Sequence, residues 1–98
     1  MAPFDTPSIR RLFDAIRRLD TREDCEKFFE DICTIKEVQD MAQRLDTAIL
    51  LQQGVNYQTI SEQVGISTAT ISRVSKCLNY GSGGYRQALA RMKEEGEL

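Results

Sequence analysis

The sequence predicts an all-α protein of about six helices that carries a helix-turn-helix. Three observations support this. Apolar residues recur every three or four positions along most of the chain, and no period-two alternation persists. Most of these stretches open on a residue suited to cap a helix N-terminus. The span from Tyr57 to Lys76 has the spacing of two short helices joined by a tight turn. With 98 residues, 41% of them hydrophobic, the chain can build one modest core. A single domain over 1–98 is expected, with residues 1–6 loose.

The elements follow in order. Thr6 is placed to cap a first helix with Pro7 at its first position, where a missing N–H costs nothing. Ile9, Leu12, Phe13, Ile16 and Leu19 supply its apolar stripe. Thr21 opens a second helix, with Glu23 and Asp24 favourably placed against its dipole and Phe28, Phe29 and Ile32 on its apolar face. Thr34 to Glu37 forms a capping box for a third, whose stripe runs Ile35, Val38, Met41/Ala42, Leu45 and Ile49 until Gly54 stops it. Asn56 caps a short fourth helix through Gln63, and Ser67 caps a fifth to about Leu78. The segment 79–84 is a breaker, with three glycines within four residues, and Tyr85 to Lys93 forms the last helix.

The fourth and fifth helices carry the functional signal. Ile60 and Val64 face the second helix of the pair, and Ser61 is small where the two approach. Gly65 tolerates the positive φ of the turn, and Ile66 plugs it. Ile71, Val74 and Leu78 form the apolar face of the fifth helix. Its opposite face holds Ser67, Thr68, Ala69, Ser72, Arg73 and Lys76, all small, hydroxylated or basic. Small residues let the helix N-terminus approach the major groove, and phosphates favour its positive dipole end. Hydroxyls bond bases or phosphates, while alanine and the threonine methyl suit a thymine methyl. The pattern implies DNA reading. A helix-turn-helix that docks on a protein of the transcription machinery is the alternative.

Charge and composition narrow the classes. The net charge of −2 argues against indiscriminate polyanion binding, yet residues 54–92 carry a net +3 against −3 for residues 1–53. The positive excess thus coincides with the motif. The chain has no histidine, which excludes Ser–His and Cys–His catalysis, and no phosphate-cradling glycine loop followed by lysine. An enzyme is not expected, and neither is a cofactor. The three cysteines Cys25, Cys33 and Cys77 form no C-x-x-C, so a zinc site and a disulfide framework are unsupported and a cytoplasmic setting is expected. No run of eighteen apolar residues exists, and no membrane contact is expected.

The strings Leu50-Leu-Gln-Gln-Gly-Val-Asn-Tyr57, Ser67-Thr-Ala-Thr-Ile-Ser-Arg-Val-Ser75 and Cys77-Leu-Asn-Tyr-Gly81 resemble the Trp repressor family, most closely its YerC/YecD-type branch. The resemblance runs from about Ile9 to Met92. It implies six helices, two chains interlocked as a homodimer, and paired recognition helices that read a palindromic operator in double-stranded DNA. Such a dimer accounts for the surplus apolar face of the first three helices. In the family's tryptophan-binding members the indole lies between two arginines. Arg73 matches one, and Arg44 matches the other across a one-residue gap. Arg44 reads equally as a solvated residue or a phosphate contact.

The next position departs from the pattern. Where those members carry glycine, this chain has Val74, whose side chain is expected to fill the space the ring needs. The expected ligand region therefore comprises Arg44, Arg73, Val74 and Cys77, with no effector identified. The expected function is a DNA-binding transcriptional regulator, a repressor not controlled by tryptophan.

Overall fold

A computed structural model of the chain describes residues 4–98. Among the described residues there are six α-helices and no strand: α1 (Pro7–Ile16), α2 (Arg22–Ile32), α3 (Ile35–Gln52), α4 (Tyr57–Ile60), α5 (Thr68–Tyr80) and α6 (Gly84–Glu94). The all-α expectation is met. The chain divides into two compact units, residues 1–38 and 39–98.

In the first unit the caps form where the sequence places them. Thr6 Oγ1 accepts the Ile9 N–H at 3.1 Å, and Thr21 Oγ1 accepts that of Asp24 at 3.1 Å. Thr34 and Glu37 complete a reciprocal capping box at 3.1 and 2.9 Å. α1 ends sooner than its stripe suggested. Arg18 and Leu19 donate to carbonyls only three residues back, so Leu19 follows the helix in a tight turn. Of the segment expected to be loose, residues 1–3 lie outside the described residues. Phe4 meets Phe13 edge-to-face at 5.9 Å, and Asp5 pairs with Arg10 at 3.2 Å. No described residue of this unit is buried. Phe13, Ile32 and Ile35 are 47%, 51% and 74% exposed.

The second unit holds the core. Thr47 and Ala48 of α3, Ile60 of α4, Ile71, Val74 and Leu78 of α5, and Leu89 of α6 are buried. Thr47 is buried without cost because its hydroxyl donates to the Gln43 carbonyl at 2.8 Å. Asn56 Oδ1 caps α4 by accepting the Thr59 N–H at 2.9 Å. The fourth helix is α-helical only to Ile60 and continues as one π-helical turn, Ser61–Gly65. The reason lies at its end. Gly65 takes φ +80°, and Ser61 Oγ donates to the Ile66 carbonyl at 2.6 Å, drawing the outgoing chain back across the helix terminus. α5 runs two residues beyond Leu78. It stops at Gly81, where any Cβ would collide with the Cys77 carbonyl oxygen.

Candidate nucleic-acid interface

The interface begins with the entry of α5. Ser67 Oγ accepts the Thr70 N–H at 3.2 Å, which fixes the first turn and leaves other N-terminal amides pointing outward. Burial of Ile71, Val74 and Leu78 then fixes which side of α5 faces out. Ser67, Thr68, Ala69, Ser72, Arg73 and Lys76 are all exposed, and their three- and four-residue spacings place most of them on one continuous strip. No acidic side chain interrupts it. Among the described residues neither Arg73 nor Lys76 forms an ion pair, so neither is neutralised. Tyr80, four residues beyond Lys76, extends the strip and is 86% exposed. Sequence reasoning missed it because the helix was expected to end at Leu78.

Four side-chain bonds hold this helix pair, one within its turn and three from the helices on either side. Ser61 bridges the turn to Ile66, and Gln43 Nε2 of α3 donates to the Val64 carbonyl at 3.2 Å. At the other end, Arg86 of α6 donates from Nε to the Leu78 carbonyl at 2.8 Å and from Nη2 to Asn79 Oδ1 at 3.1 Å. Gln43 and Arg86 carried no expected role. For Arg86 a signal exists in the sequence, since a cation in the first turn of a helix opposes the dipole.

Arg44, Arg73, Val74 and Cys77 line one open concavity of about 460 Å³, together with Asp40 and Tyr85 among others. Val74 was expected to fill this space. Instead it is 3% exposed and packs with Ala48 and Leu89 in the core, so it forms part of the floor and the concavity remains beside it. Arg44, Arg73 and Cys77 stay exposed at its rim. Among the described residues no helix is long and apolar enough to cross a membrane.

The family described as Trp repressor protein matches residues 7–93. Uncharacterized protein YerC of Bacillus subtilis (strain 168) is 51% identical over 84 residues, covering 86% of this chain and 81% of that protein. A TrpR-like protein from Eubacterium eligens has a crystal structure that superposes with a TM-score of 0.89 at 41% identity, covering 92% of this chain and 93% of that one. A candidate Trp repressor from Staphylococcus aureus superposes with a TM-score of 0.86 at 45% identity, covering 90% and 88%.

Proposed function

The chain belongs to the Trp repressor family, and from that premise we propose that it is a sequence-specific DNA-binding transcriptional regulator, a repressor, that works as a homodimer without tryptophan control. The observation that carries this reading is the exposed, acid-free strip on α5, whose two cations form no ion pair among the described residues. Thr68, Ala69 and Ser72 supply the base-facing part, and Arg73 and Lys76 the phosphate-facing part. Selection from a random pool of DNA duplexes tests it. A two-fold symmetric motif with half-sites roughly one turn, about 34 Å, apart is expected. Recovery of no common motif refutes the reading.

The dimer rests on the first unit. A helical segment whose described residues include none that is buried, and whose Phe13, Ile32 and Ile35 are about half or more exposed, lacks a core of its own. A second copy covering these side chains makes the whole of 1–98 one cooperative domain. Independence from tryptophan rests on Val74. The side chain at this position already packs α5 against the core, and Gln43 and Arg86 tie the helix pair at both ends. The recognition helix is thus held by the protein's own contacts, so operator affinity is expected to be the same with and without L-tryptophan.

A further inference from the structure

The aim of a recognition helix depends on its carbonyl end as well as on the amide end that enters the groove. α5 has no basic residue in its last turn, and of its terminal carbonyls only that of Cys77 is met locally, by the Gly81 N–H at 2.8 Å. The missing partner for Leu78 comes from α6, where Arg86 Nε donates to its carbonyl at 2.8 Å. Nη2 donates to Asn79 Oδ1 at 3.1 Å, and Asn79 Nδ2 donates in turn to Ser75 Oγ at 3.3 Å. The chain of bonds therefore runs from α6 back along one full turn of α5.

The helix that carries Arg86 offers no reason for a cation there. The residue lies in the first turn of α6, where the dipole disfavours positive charge, and that turn holds no acidic residue. Nor does Arg86 form an ion pair within the described residues. What the position costs α6 it returns at α5, whose negative end the guanidinium meets.

We propose that Arg86 is a positioning residue for DNA recognition: it fixes the last turn of α5 and hence the attitude in which α5 presents Arg73 and Lys76. The proposal rests on α5 being the DNA-reading helix. Arg86 is itself exposed, so a direct phosphate contact is the competing role, and salt dependence separates the two.

The test compares the full-length unaltered protein with R86M, which keeps the apolar stem, with R86K, which keeps one donor, and with N79A. Amide hydrogen exchange along α5 and affinity for the selected duplex as a function of salt are both measured. In R86M the amides of Tyr80 and Gly81 should exchange about tenfold faster while those of Ile71 to Val74 hold, as expected for loss of one charge-assisted hydrogen bond. Affinity should fall about tenfold with an unchanged salt slope. R86K should recover part of both, and N79A should speed exchange at the last turn by a smaller factor, which keeps the test open should R86M fail to fold. Unaltered exchange and affinity in R86M would overturn the proposal. So would an affinity loss accompanied by a salt slope lower by about one, the mark of a lost phosphate contact. Failure of the DNA reading itself would show as no binding by the unaltered protein, a result separate from the exchange difference that decides the clamp.

Discussion

Val74 packs against Ala48 and Leu89 at 3% exposure, while its neighbour Arg73 stands exposed at the rim of the concavity. One residue step thus separates a core position from a binding position. Replacing Val74 by glycine removes the buried side chain and adds a flexible residue inside a helix. Val74→Gly should cost about 3 kcal/mol in chemical denaturation. Duplex affinity of the unaltered protein should be the same with and without L-tryptophan; an affinity that rises when tryptophan is added would contradict the role given to Val74, which is to hold α5 against the core without a ligand. On the exposed strip, Lys76→Ala should weaken all duplex sequences about equally and lower the salt slope by about one. Ala69→Leu should change which sequences are selected. A changed site preference in Lys76→Ala with an unaltered slope would show that the two roles are reversed. At this scale Ile60, Ile71, Val74 and Leu78 were legible as core because the helix-turn-helix spacing fixes their direction. Thr47 was not. A threonine reads as solvent-facing, and only the bond from its hydroxyl to the Gln43 carbonyl makes its burial cheap.

At the scale of the element, α5 is defined by its two ends. Ser67 supplies the amide-end cap, and Ser67→Ala should lower stability by about 1 kcal/mol and weaken DNA binding through fraying of the turn that meets the groove. Thermal melting and duplex binding of the same variant check both effects; an unchanged melting temperature would argue against the cap. At the other end the sequence placed the break too early. Three glycines made the whole of 79–84 look unstructured, whereas the helix reaches Tyr80 and turns extended at Gly81, where only a residue without a Cβ fits beside the Cys77 carbonyl. The caps at Thr6, Thr21, Thr34, Asn56 and Ser67 were legible because a capping side chain and its amide lie three residues apart in sequence. The π-helical turn was not, because it arises from a bond across the turn, Ser61 to Ile66, that leaves no periodic trace. The grip of Arg86 on Leu78 is likewise a contact between helices, which the spacing within either helix does not encode.

For the whole molecule, the contrast between the two units sets the expectation. Among the described residues, 39–98 contain every buried side chain and 4–38 contain none. If a second copy supplies the missing cover, unfolding is coupled to dissociation. The thermal midpoint should then rise with protein concentration in a single transition. Sedimentation should give twice the mass of the 11.2 kDa chain at micromolar concentration, and a monomeric mass would count against the dimer. A paired set of α5 strips is also what a palindromic site requires. The net charge of −2 bears on the rival role, since an adaptor docking on the transcription machinery needs no affinity for phosphate. The two roles differ most clearly on the chromosome. A genome-wide binding map of the tagged protein in its native cell tests the central claim most directly: discrete sites sharing one palindromic motif with half-sites about one helical turn apart are predicted, and occupancy that follows active promoters without a common motif would contradict DNA reading by α5.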